Sequence, residues 1–150
     1  MWRSILWRCK MKEMIYTARL KERVVLKIGK YKGYNYWITS LGSHPCAYVE
    51  LPKTHPYYGK CDCEAYDLPI DVHGGITYGE FGLGGTIDNE KFLLGWDYAH
   101  YNDYMECSIP LDYMDYAKKW TVEEIFKDVK DVINQLIAVE NKEKRRKNDK

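Results

Sequence analysis

The chain has 150 residues, with 23 Lys and Arg against 22 Asp and Glu, a formal net charge of +1 and 45% hydrophobic residues. That is one domain's worth of chain, long enough to bury a core without staples. The charge is unevenly spread: residues 1–30 are basic, acids far outnumber Lys53, Lys60 and Lys91 between 50 and 115, and the tail from Lys142 is basic again. An acidic centre disfavours DNA as a ligand of that face and suits a metal ion or a cationic partner.

In chain order, residues 1–20 read as a basic extension. Trp2, Ile5, Leu6 and Cys9 have the spacing of a short amphipathic helix, too short to span a membrane. A single α+β domain is expected over 21–140 and a charged, solvated tail over 141–150. Residues 22–28 read as the first strand, 34–39 as the second and 46–51 as the third, with glycine turns implying antiparallel hairpins. A long polar and aromatic loop follows from Lys53 to Pro69. Residues 70–72 and 76–78 read as short strand pieces flanking Gly74-Gly75. The glycine-rich stretch 79–89 reads as a flexible loop, and 91–96 as a central strand. Thr121-Val122-Glu123-Glu124 is a capping box. The apolar repeat Val122, Ile125, Phe126, Val129, Val132, Ile133, Leu136, Ile137 makes one helix face, laid on the sheet. The expected fold is therefore α+β: a mostly antiparallel sheet of about five strands with a C-terminal helix packed on one face.

The five cysteines are an odd number, no secretory signal precedes them, and they read as reduced thiols. Cys61-Asp62-Cys63 has no second pair at zinc spacing. Gly82-Leu83-Gly84-Gly85 precedes a strand rather than a helix, which rules out a dinucleotide fingerprint. Neither H-E-x-x-H nor H-x-H occurs, so no cofactor or metal is assigned.

Two segments concentrate the chemistry. Asp71-Val72-His73-Gly74-Gly75-Ile76-Thr77-Tyr78 places a carboxylate and an imidazole on one face if extended. Gly95-Trp96-Asp97-Tyr98-Ala99-His100, with Asp103, is the second. These pieces, with Cys46-Ala47-Tyr48-Val49, Pro52-Lys53-Thr54-His55-Pro56, Tyr58-Gly59-Lys60 and the terminal helix, resemble a group of small uncharacterised proteins from bacteriophages and prophages, seen mostly with Gram-positive hosts. The resemblance covers about residues 34–140. It departs at Cys61-Asp62-Cys63-Glu64-Ala65 and in the basic amino end. It implies a phage accessory protein in the host cytoplasm, a class that includes inhibitors of host defence and sponges for nucleotide signals.

The two segments are expected to lie side by side. Three readings of them stand. One is a ligand site formed by His55, Tyr58, Asp71, His73, Gly74, Gly75, Tyr78, Trp96, Asp97 and His100, taking a nucleotide-like small molecule. A second is a metal-dependent hydrolase using Asp71/His73 and Asp97/His100. The third is a host-protein inhibitor acting through a Tyr-rich surface. Against all three stands a purely structural polar network that pins strand ends. A homo-oligomer is also compatible with the sequence.

Overall fold

The computed structural model describes residues 15–17, 22–107 and 115–150. The helix expected within the first twelve residues lies outside them. Five strands form one antiparallel sheet: β1 (Val24–Tyr31), β2 (Tyr34–Ser40), β3 (Pro45–Leu51), β4 (Tyr78–Leu83) and β5 (Ile87–Asp97), in the order β1-β2-β3-β5-β4. A short helix α1 (Cys63–Tyr66) sits in the β3–β4 crossover, and a long helix α2 (Val122–Asn148) closes the chain. The α+β architecture expected from the sequence is the one observed.

Strand alternation sorts the sheet into two faces. Tyr34, Tyr36 and Ile38 of β2, Ala47, Val49 and Leu51 of β3, and Phe92, Leu94 and Trp96 of β5 share the main core with the buried helix residues Ile125, Val129, Val132, Ile133 and Leu136. Each such helix side chain contributes roughly 1.5–3 kcal/mol by leaving water. The opposite face carries a smaller cluster of Trp37, Tyr48, Leu83, Ile87 and Leu93.

The capping box at Thr121 is present as expected: its hydroxyl accepts from the Glu124 amide, and the Glu124 carboxylate accepts from the Thr121 amide. At the other end the charge run does not fray. The helix continues to Asn148, with Glu140–Lys144 and Glu143–Arg146 spaced as helical ion pairs and basic residues complementing the helix dipole in the last turn.

Two local expectations are corrected. Residues 79–83 are not a loop but part of strand β4, paired with β5. Their glycines carry no side-chain pattern to read, and Gly79 is there because the Ala65 side chain of α1 packs where its Cβ would stand. Residues 70–77 form no strand; they run as extended chain and a turn at His73-Gly74 into β4.

Candidate functional site

The site lies at the end of β5, between the 72–75 turn, the 98–103 loop and the start of α2. Beyond Asp97 the chain reverses: the Asp103 amide donates to the His100 carbonyl at 2.9 Å, and Asn102 takes a positive φ of 70°. This turns the Asp103 carboxylate back into the protein, where it is 3% exposed. There it accepts three hydrogen bonds. His73 Nε2 donates to Oδ2 at 2.6 Å, the His100 amide donates to Oδ2 at 2.9 Å, and the Trp120 indole donates to Oδ1 at 2.8 Å. Burial alone would push the Asp103 carboxyl up, but the bonds from His73, His100 and Trp120 outweigh it and hold it below its ordinary value.

His73 is fixed on several sides. Its ring stacks on Tyr98 at 5.1 Å and 6°, and lies 4.8 Å from Trp120. Tyr98 is fully buried; it accepts from the Trp96 indole at 2.9 Å and donates to Asp128 at 2.7 Å. Burial and the Asp128 carboxylate push the Tyr98 phenol up, so it keeps its proton. Gly74, at φ 70°, leaves room for the His100 ring, which a Cβ there would run into. Gly74 is therefore a packing requirement of the second histidine, whereas Gly75, at φ 79° with open space where its Cβ would stand, closes the turn through its amide to the Val72 carbonyl.

His100 Nδ1 lies 3.6 Å from Asp97 Oδ1 and 3.6 Å from Asp103 Oδ2, too far for a hydrogen bond. It is buried and has no hydrogen-bond partner among the described residues. Asp97 is itself anchored by the Thr77 hydroxyl at 3.0 Å and the Ala99 amide at 3.1 Å.

His73 also lines an open cleft of about 290 Å³ with Asp71, Val72, Asp128 and Asp131. Asp71 reaches this cleft but does not pair with His73. Alternate residues share a face only in a strand, and here a turn intervenes. The Asp71 backbone is instead clamped by Gln135, whose side-chain oxygen accepts from the Asp71 amide and whose amide donates to the Asp71 carbonyl. The donor set gathered is therefore His73, His100 and Asp103, with ligand atoms within 4.8 Å of one another.

The other expected site residues lie elsewhere. His55 is 3% exposed and ties the crossover to α2: its Nε2 donates to the Leu136 carbonyl at 3.0 Å, and its Nδ1 accepts from the Tyr57 amide at 3.0 Å. Burial lowers its pKa. Tyr58 packs edge-on against Phe81 and against Phe92. Tyr78 faces the opposite side of the sheet, edge-on to Tyr48. Trp96 is buried beneath Tyr98. The tyrosines thus scatter over core, opposite face and exposed positions such as Tyr101 and Tyr116 instead of forming one patch. Burial pushes the Cys46 thiol up to about 11, which disfavours its thiolate.

Trp120 was not among the expected site residues. Its one signal is an aromatic directly ahead of the capping box, where the entering chain commonly packs. Here it packs on His73 and Tyr98. Residues 102–104 pair with Lys118, which brings Trp120 over Asp103.

No protein-family profile, curated protein or solved structure matches the chain. Among the described residues, no helix is long and apolar enough to cross a membrane.

Proposed function

We propose that the protein acts by binding, as a small accessory protein of the bacteriophage type, and that it sequesters a nucleotide-like molecule at the His73 cleft. The observation that carries this reading is a cleft walled by Asp71, Asp128 and Asp131 around an imidazole held rigidly from behind. Carboxylates accept hydrogen bonds and repel anions. The group that enters must present N–H donors or positive charge. The amino-bearing edge of a nucleobase meets that demand, as carboxylates do when they accept from cytosine N4. Its phosphates would point away from the cleft.

The test is ligand release. The purified protein is incubated with a bacterial lysate, washed and heat-denatured, and the supernatant is analysed by mass spectrometry. A nucleotide-like compound in near-stoichiometric amount is expected, and less of it from a protein carrying Asp71→Asn and Asp131→Asn. Release of no small molecule overturns the reading, whether or not a host protein co-purifies.

A further inference from the structure

We propose that His73, His100 and Asp103 form a binding site for a divalent transition-metal ion that favours imidazole, such as Zn²⁺, Co²⁺ or Ni²⁺. The site shares His73 with the cleft above and does not depend on what fills that cleft.

Donor chemistry comes first. Two imidazoles and one carboxylate suit these ions, whereas Mg²⁺ and Ca²⁺ take oxygen ligands. Spacing comes second. At metal–ligand distances of about 2.0–2.1 Å, tetrahedral ligands stand about 3.3 Å apart. The His73 Nε2–Asp103 Oδ2 distance of 2.6 Å and the His100 Nδ1–Asp103 Oδ2 distance of 3.6 Å bracket that value. All three ligand atoms lie within 4.8 Å of one another, so rotation of the two imidazoles would close them on the ion. The Nε2 proton that His73 gives to Asp103 would move to Nδ1, leaving the Nε2 lone pair for the metal.

The third observation is His100 Nδ1, buried without a hydrogen-bond partner among the described residues. An unpaired buried nitrogen is destabilising, and a metal ion would use its lone pair. The supporting shell is also present. Trp120 orients the far oxygen of Asp103, and Asp97, anchored by Thr77, adds negative charge 3.6 Å from His100 Nδ1. Gly74 is the residue that lets the turn carrying His73 approach the His100 ring. Three protein ligands leave a coordination position open, as in catalytic rather than structural zinc sites.

The experiment titrates reduced, metal-free protein with Co²⁺ alone and reads visible absorption. Expected is one saturable equivalent with ligand-field bands and no thiolate charge-transfer band, displaced by Zn²⁺. Outer-shell partners are worth on the order of 10–100-fold in affinity, so His100→Gln and Asp103→Asn should each weaken binding by at least that factor. Cys63→Ser should leave it unchanged. Circular dichroism of His100→Gln keeps a folding failure distinct, and this variant removes a ring whose Nδ1 has no hydrogen bond to lose. No saturable binding overturns the proposal. So does binding that a folded His100→Gln protein retains, or binding that carries a thiolate band and is lost in Cys63→Ser. Because no nucleotide is present, this result and the ligand-release result can fail separately.

Discussion

Replacing Asp103 by Ala removes the acceptor of three hydrogen bonds at once. His73, with its side chain 26% exposed, can turn to water, but the Trp120 indole N–H and the His100 amide are left facing an apolar methyl. An unpaired buried donor costs about 1–3 kcal/mol, and since both are only half-buried the pair should cost roughly 2–4 kcal/mol. For a domain of this size that lowers Tm by on the order of 10 °C. Asp103→Asn keeps an oxygen for Trp120 and turns an amide N–H₂ toward the His100 N–H, so it should cost about half as much. The pH dependence has a definite sign. The folded-state pKa of Asp103 lies below its ordinary 3.8. The stabilisation is then full above that value and is lost as pH falls through the folded pKa. Urea unfolding followed by tryptophan fluorescence, at pH 7 and again near pH 3, measures both effects. A loss for Asp103→Ala of under about 1 kcal/mol at pH 7 would refute the three-bond account. So would a gap from wild type that stays constant into acid.

The two glycines of the turn should respond differently: both have positive φ, but a Cβ on Gly75 meets open space and one on Gly74 meets the His100 ring. Gly75→Ala should cost about 1–2 kcal/mol from backbone strain alone, and Gly74→Ala clearly more in the same thermal melt; equal losses would contradict the close approach. His44 and His55 both have pKa values lowered by burial, so the stability they contribute is complete above the unfolded value of 6.5 and falls with pH through their folded values. Tm should decline between pH 7 and pH 5, less steeply in His55→Gln; a flat profile would show that these rings are not held neutral.

The main architecture was legible because its signals are local. The capping box and the Val122–Ile137 repeat mark a helix with one apolar face, and Tyr36 and Ile38 alternate with Trp37 as a two-faced strand must. Gly79 and Gly82 hid β4, since two of its six positions carry no side chain and the register shifts between Phe81 and Leu83, which breaks the period. The sequence pointed to the two segments that carry His73, His100 and Asp103 but did not show which acid bonds which histidine. Pairing Asp71 with His73 assumed a strand where the chain turns. Asp103 joins His73 only after a reversal that depends on backbone bonds among His100, Asn102 and Lys118. Trp120 arrives from beyond a stretch with no clear periodicity. The expected aromatic surface failed for a related reason: composition counts tyrosines without saying which side of the sheet each one faces.

The strand order has a consequence for how the protein comes into being. β1, β2 and β3 are consecutive neighbours, and β4 and β5 form a hairpin, so each group can form from short-range contacts. The seam between them, from Cys46↔Asp97 to Leu51↔Phe92, closes a loop containing the whole crossover. Such long-range pairings are the slow ones to form. His73 travels inside that loop, Asp103 follows the seam, and Trp120 stands just ahead of the helix that the joined sheet receives. The β4–β5 hairpin by itself draws the turn at His73 toward the loop of His100 and Asp103, because the Thr77 amide donates to the Gly95 carbonyl. The Trp120 indole over Asp103 and the Asp128 and Asp131 wall of the cleft come only with α2, so a chain in which that helix is undocked lacks one wall of the cleft while the three donors still share one hairpin.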